Sequence, residues 1–580
     1  MSDDTSMDMS RSVPRPASTA LWKAAKPRLR RFLRPETAAL AIAAAVLAAQ
    51  LAVLTQGYYE CDPNAYLMSG KQLVRKGTLR FDGSDIFRFH EHMWVEPQPN
   101  VIYAKYPPGY PLLLGIAWLA GGDRAMFWVS PIAGAVGLFA SFLLMRKVAS
   151  PWLAVAGALL LAVNPMLTLY NGYMLTHAAS YAVAALGMVC LWNWIEKGGV
   201  WRAMTTGLLF GFGPCVRYTD ALIFLAVPAA IVFRAARLAK EKSVARALAD
   251  LAVEAAAMAA GAFVCLAPLM IHHTYAFGSP FRTGYDLSGE QSAFSRDWLR
   301  NNMPQLLHDL NDIALPVVFP LAMVGWFLMI LKRRREWLLL FLWAAPMLIV
   351  YGAYYWAPPH SGTCYVRFQT SAVPAYVCAC VFCLDSLLTE KWPRRLVPLW
   401  ILFLVLAVGG KDAWGNLTGR RYAKQLETAA RECSSKLPED AVIFADPPMS
   451  DYLQTVADFT VYRNEMFNPA YGTRLREPPR GSEPMRQMDR SLRLASTFTN
   501  DYGKLSQMQK DLAASWLQKG RAVAFVIGKG SARHYGPLFG PEYKWTLLAS
   551  WQSPCNWPYW AQRKPEWELY RLEKTLDGSP

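Results

Sequence analysis

Apolar residues along this chain fall in long blocks separated by short basic breaks. From Thr37 to Leu54 eighteen residues carry no charge, enough to cross about 30 Å of hydrocarbon as a helix. Blocks of similar character at about 125–145, 151–167, 173–195, 203–216, 219–234, 251–271, 313–331, 337–355, 370–388 and 396–410 predict ten further spans, eleven in all. When the first span enters from the cytoplasm, the clusters Arg146-Lys147, Lys197 to Arg202, Arg234 to Arg246, Lys332 to Arg335 and Lys391 to Arg395 all fall on the cytoplasmic side. That distribution is what the positive-inside rule demands. It places the N-terminus inside, the C-terminus outside, and the chain in the cell's inner (cytoplasmic) membrane as a multi-pass protein. Tyr110 to Ala120 is too short to span and would put Arg146-Lys147 on the wrong side, so an interfacial helix is expected there.

Two outer segments break the pattern, a first loop at 56–108 and a tail at 412–580. In the tail, helical periodicity at Arg420 to Leu437 precedes a strand-like "AVIFAD" (Ala441 to Asp446). A second helical stretch at Leu505 to Gln518 precedes the strand-like "AVAFVIG", "WTLLASW" and "WELYRLE". Such alternation predicts a small α/β domain, without a G-x-G-x-x-G or P-loop for nucleotide. The fold class expected is therefore a polytopic α-helical membrane protein of about 11 transmembrane helices with a small C-terminal α/β extracytoplasmic domain. The divisions are a basic cytoplasmic tail at 1–36, a membrane domain at 37–411 and a soluble domain at 412–580.

Composition changes this picture little. Of 580 residues, 53% are hydrophobic and 18% charged, a balance shifted toward membrane proteins with polar appendages. The net charge of +17 reflects the topology signals and implies no nucleic-acid partner. The polar tail before the first span is long and shows no small-residue cleavage site after that span, so an uncleaved anchor is expected. The ten cysteines form no C-x-x-C metal pair: Cys380 and Cys383 have that spacing but lie within an apolar span. Six of them sit in spans as small apolar residues, and Cys433–Cys555 is a possible tail disulfide. His90-Glu91-His92 puts two imidazoles on one strand face, but no third ligand is evident, so a divalent metal is not supported and no cofactor is expected.

The polar residues near the outer surface carry the candidate chemistry. Glu60 and Asp62 follow the first span directly, and Asp62 and Tyr66 form an Asp-x-x-x-Tyr spacing at the start of an amphipathic run. Some forty residues on, "YAKYPPGYPLLLG" sets Lys105 beside a helix start marked by Pro107 and Pro108. Proline is tolerated there because that N–H has no intrahelical partner, and a cation next to a helix N-terminus attracts anions. Arg217 in "CVRYTDALIF" and Arg367 in "YVRFQTSAVPAY" head outer span ends on the same face, where arginines either snorkel or bind. His177 in "NGYMLTHAASY" begins a span on that side. Tyr106 and Tyr110 either stack on a sugar or form part of an aromatic belt, and the belt is the reading adopted.

Together these motifs resemble the C-type glycosyltransferase superfamily, membrane enzymes that use polyprenyl-phosphate sugars. The branch most similar contains the protein O-mannosyltransferases and the bacterial lipid A aminoarabinose transferases. Its members have one span, a loop with an Asp-Glu-x-x-Tyr motif, then a Lys- or His-Pro-Pro motif. Asp62 and Tyr66 match the first with Pro63 in place of Glu, and Lys105 to Pro108 match the second with one residue inserted. The resemblance, over roughly residues 37 to 410, implies transfer of a sugar from a polyprenyl-phosphate donor to a glycan, lipid or protein hydroxyl. Asp62 is then the general base, Lys105, Arg217 and Arg367 hold the donor phosphate, and Tyr66, Glu60 and His177 are substrate contacts. The alternative is a transporter or flippase of lipid-linked sugars without bond chemistry.

Overall fold

The computed structural model describes residues 34–58, 62–89, 93–288, 290, 294–354, 366–388, 396–419, 424–467, 502–552 and 566–575. The chain is a multi-pass helical bundle. Among the described residues, six helices are long and apolar enough to cross a membrane: Pro35–Ala52, Val129–Val148, His177–Lys197, Tyr218–Glu241, Val244–Phe277 and Arg367–Leu388. A seventh arises if Arg296–Ala314 and Val318–Leu331, bent by 108° at their junction, form one span.

The count of eleven therefore does not carry over directly, for local reasons. The block at 151–167 is cut into Pro151–Ala162 and Pro165–Tyr170, because Pro165 cannot continue a helix and Asn164 caps the second piece through its side chain. The block at 313–331 begins in a π turn, and Val317 sits at φ 64, where the chain swings into the next helix. The expected span 337–355 is a helix of 17 residues, Glu336–Gly352, and the last block forms the helix Leu396–Gly419, which runs on past residue 411.

Counting helices in chain order, α1 is Pro35–Ala52, α2 Asp62–Lys76, α3 Gly109–Met126, α4 Val129–Val148, α5 Pro151–Ala162, α6 Pro165–Tyr170, α7 His177–Lys197 and α8 Val200–Val216. A 3-10 segment at Tyr218–Leu225 leads into α9, Ala226–Glu241, followed by α10, Val244–Phe277, and the short α11, Gly284–Leu287. Next come α12, Arg296–Asp309, α13, Val318–Leu331, α14, Glu336–Gly352, α15, Val373–Leu388, and α16, Leu396–Gly419. The interfacial reading of 110–120 fits α3: Leu112, Ile116 and Leu119 form an exposed apolar stripe, and Gly121-Gly122 kink the helix.

Between α2 and α3 the first loop forms a small antiparallel sheet in which β3 (Val101–Ala104) lies between β1 (Phe81–Asp82) and β2 (Trp94–Gln98). The tail is a mixed sheet, as its alternation predicted. Its helices are α17, Lys424–Lys436, α18, Met449–Val456, α19, Tyr502–Gln518, and α20, Ala532–Phe539. Its strands are β4, Val442–Ala445, β5, Thr460–Arg463, β6, Val523–Gly528, β7, Tyr543–Gln552, and β8, Glu566–Lys574. They lie in the order β5-β4-β6-β8-β7, with β4 parallel to β5 and β6 and the β8 and β7 pairings antiparallel. The parallel strands β4 and β6 are buried on both faces, hence their unbroken apolar runs. Phe444 stacks between Tyr462 and Phe525 with ring centres 5.0 and 4.9 Å apart. Cys433 is buried in this domain, and its proposed partner Cys555 lies outside the described residues.

Candidate functional site

Seven separate stretches of chain converge on one cavity of about 250 Å³. Asp62 opens α2, so its carboxylate stands at a helix N-terminus, where negative charge is favoured. Its Oδ1 accepts a hydrogen bond of 2.9 Å from the Tyr106 hydroxyl. Tyr66, one helical turn on, faces the same way and packs its ring 4.6 Å from that of Tyr106 and 5.2 Å from that of Tyr110. Burial pushes the Tyr66 phenol well above its usual range, and the neighbouring Asp62 charge adds to this.

The "KYPPGYP" segment reaches the cavity through close backbone packing. A Cβ at Gly109 would come within 2.5 Å of the Cys215 carbonyl oxygen, so only glycine lets α3 start against the end of α8. That end presents Arg217 as its C-terminal cap. Gly284 likewise meets the Lys105 backbone, where a Cβ would lie 2.3 Å from Lys105 Cα. This contact carries Tyr285 into the wall, behind a capping box of Thr283 and Asp286.

The two arginines flank one aromatic ring. The guanidinium carbons of Arg217 and Arg367 lie 5.4 and 5.3 Å from the Phe368 ring centre, and Tyr351 stacks on the same ring at 4.6 Å. Arg217 Nη2 also donates to the Tyr351 hydroxyl at 2.6 Å. Asp220, three residues after Arg217 and buried, carries a charge that interacts with it. His177 opens α7 and lines the cavity, with neither ring nitrogen hydrogen-bonded among the described residues. The charges of Arg217 and Arg367 both act on it.

Thus Asp62, Tyr66, Arg217, Arg367 and His177, named from the sequence, all line one chamber. Lys105 stands one step back. It is buried, its ammonium 5.5 Å from the ring centres of Tyr106 and Tyr285, and it forms an ion pair with Glu290, which does line the cavity. Tyr354 donates to the other oxygen of Glu290 at 3.3 Å. Lys105, expected from the sequence at the donor phosphate, is here paired with a carboxylate. Tyr106 and Tyr110 are also not belt residues: both are buried, one bonded to Asp62 and the other to Ser130 at 2.8 Å. Glu60 and the His90-Glu91-His92 stretch lie outside the described residues. Among the described residues, no group of three or more His, Cys, Asp or Glu side chains is placed to hold a metal.

Sequence reasoning missed Glu290, Tyr285 and the Tyr351–Phe368 stack. The available signal was indirect: an acid in an outer loop on the side already holding Lys105, and aromatic residues clustered at outer span ends.

No family model matches the sequence, and no curated protein matches it. Among solved structures, the chain is similar to ArnT from Cupriavidus metallidurans in the apo state, with 10% sequence identity and a TM-score of 0.52. The likeness covers 96% of this chain and 98% of that one, so the membrane bundle and the tail domain are both included. ArnT is a lipid A aminoarabinose transferase of the C-type superfamily, the branch that the Asp62–Tyr66 and Lys105–Pro108 motifs resemble. At this identity what the two chains share is the fold: a multi-pass membrane bundle carrying a C-terminal sheet domain.

Proposed function

We propose that the protein transfers a sugar from a polyprenyl-phosphate donor to an acceptor hydroxyl at the outer face of the inner membrane. The observation that carries this reading is the shared cavity, which holds the Asp62 carboxylate together with two arginines around Phe368, while its other carboxylate, Glu290, is paired with Lys105. Its volume of about 250 Å³ lies just below the roughly 300–1,000 Å³ usual for drug-sized ligands. That suits a sugar and its phosphate, with the lipid chain left outside. In the reaction the acceptor oxygen attacks the anomeric carbon and the bond from that carbon to the phosphate oxygen breaks. The electron pair stays on the polyprenyl phosphate, and the acceptor proton passes to Asp62. Arg217 and Arg367 stabilise the charge developing on the leaving phosphate. Lys105 joins them when Glu290 releases it, and Tyr66 and His177 line the sugar pocket. The fold shared with ArnT does not favour the flippase alternative.

The test is release of polyprenyl phosphate from a lipid-linked sugar. Asp62→Asn keeps the size of the side chain and its bond to Tyr106 but cannot accept a proton. It should lose about 10²–10⁴-fold in rate while still binding donor, and Glu60→Gln should lose less. Full activity of Asp62→Asn would refute the mechanism.

A further inference from the structure

The helix that begins with Asp62 is gripped along its length by the C-terminal domain. Asn64 Nδ2 donates to the Asp451 carbonyl and to Gln454 Oε1, both at 3.1 Å. Just before the helix, the Tyr58 hydroxyl donates to the Asp451 carbonyl at 2.7 Å. Lys71 donates to the Thr455 carbonyl and pairs with Asp458, and Arg75 pairs with Asp458 at 2.7 Å. Gln454 reaches a second point of the first loop, donating to the Arg88 carbonyl at 3.0 Å. Nearby, Tyr462 donates to Asp85 at 2.5 Å and Phe467 stacks on Phe87 at 4.3 Å.

The gripping element, α18, is itself anchored from behind. Arg463, fully buried at the end of β5, holds the Asp451 carboxylate with two hydrogen bonds of 2.6 and 3.2 Å and Glu465 with one of 2.7 Å. A buried charge network of this kind sets a geometry closely, because every displaced member loses a charge-assisted bond in a low-dielectric interior. The Asp62 charge is near enough to act on Asp451.

Building on the assignment of Asp62 as general base, we infer that the C-terminal domain is a positioning device for that residue. Arg463 and Asp451 fix α18, and Gln454, through Asn64, fixes the first turn of α2. Gln454 touches no reacting atom in this scheme. It acts through Asp62, so its loss shows in turnover and not in donor binding.

The experiment is a double-mutant cycle in the full-length protein, using a polyprenyl-phosphate sugar and following release of polyprenyl phosphate. Gln454→Met keeps length and burial but removes both hydrogen bonds, and Tyr58→Phe loosens the same grip by a smaller change should the first variant fold poorly. A catalytic group misplaced by about 1 Å can cost up to about 10²-fold. The expected result is a kcat lowered by about 10–10²-fold, an unchanged donor KM, and no further loss when either change is added to Asp62→Asn. Equal losses on the wild-type and Asp62→Asn backgrounds would mean a merely structural role and overturn the inference alone. Wild-type kcat in both variants would overturn it as well. Full activity of Asp62→Asn would sink the general-base assignment, and this inference with it.

Discussion

Replacing Lys105 by Gln should damage the protein in two separable ways. In the structure, Lys105 is the buried partner of Glu290, whose side chain is only 9% exposed. Removing one member of a buried pair leaves the other charge uncompensated, at a cost of about 3–5 kcal/mol. The Tyr354 hydroxyl at 3.3 Å offsets only part of that. Against a total stability of about 5–15 kcal/mol, Lys105→Gln should lower the thermal midpoint in detergent clearly. Adding Glu290→Gln replaces the stranded charge with an amide that the new side chain at position 105 can hydrogen-bond, so the double variant should regain most of the lost stability. Catalysis should not follow. If Lys105 contributes a charge-assisted contact to the donor phosphate, worth about 1.5–3 kcal/mol, the double variant stays roughly 10–150-fold down in kcat/KM. Thermal unfolding reports the pair and donor turnover reports the phosphate contact. A Lys105→Gln protein that melts like the wild type refutes the buried pair, and a double variant with full turnover refutes the phosphate role.

Three other outcomes are expected. Arg217→Gln removes the charge beside Phe368 and should lower kcat/KM about 10–150-fold, with Arg217→Lys recovering part of it; wild-type turnover in Arg217→Gln would reduce the residue to a membrane anchor. Burial, with the Asp451 charge adding and Arg463 opposing, pushes Glu465 up from its ordinary 4.5 to about 7. The folded protein then holds a proton that the unfolded chain has released, so this group's contribution is full on the acid side and is lost as pH rises from about 4.5 to 7. The fall is about 1.4 kcal/mol per pH unit, and Glu465→Gln should flatten the pH dependence of unfolding over that range. Finally, a reporter fused after Pro580 should be active outside the cytoplasm and one inserted at Lys332 to Arg335 inside; the reverse would separate Asp62 from the outer leaflet.

What the sequence showed of this fold follows from which forces leave a periodic trace. Apolar blocks, basic breaks and strand alternation are local patterns, and they gave the bundle, the side on which the site residues gather, and every described strand of the tail except the short β5. They failed where a local conflict is resolved by tertiary contacts. Asn164 and Pro165 split one predicted span, and its two pieces are held because the Asn164 side chain also donates to the Ala314 carbonyl at 2.6 Å. The Val317 bend is of the same kind. Pro316 marks a break there, but nothing in the sequence sets a turn of 108° between the polar helix Arg296–Asp309 and the apolar helix Val318–Leu331; the packed bundle selects the corner.

The candidate site was legible to the extent that its charges had no business in a membrane. An arginine or aspartate at an outer span end is conspicuous because burying it is expensive unless it is used, and three such residues, Asp62, Arg217 and Arg367, fell into one chamber with Tyr66 and His177. Glu290 was not legible, since an acid in an outer loop is ordinary until a buried lysine is found against it. Nor was the role of the tail, because hydrogen bonds such as Asn64 to Gln454 join positions 390 residues apart and leave no mark in either local pattern. Yet they are the contacts that determine where Asp62 sits. Fold therefore came from the residues that avoid water, and the geometry of the site from polar residues that are buried in spite of it. A substitution at Gln454, in a domain remote in sequence from every motif, is accordingly expected to reach the chemistry as surely as one beside it.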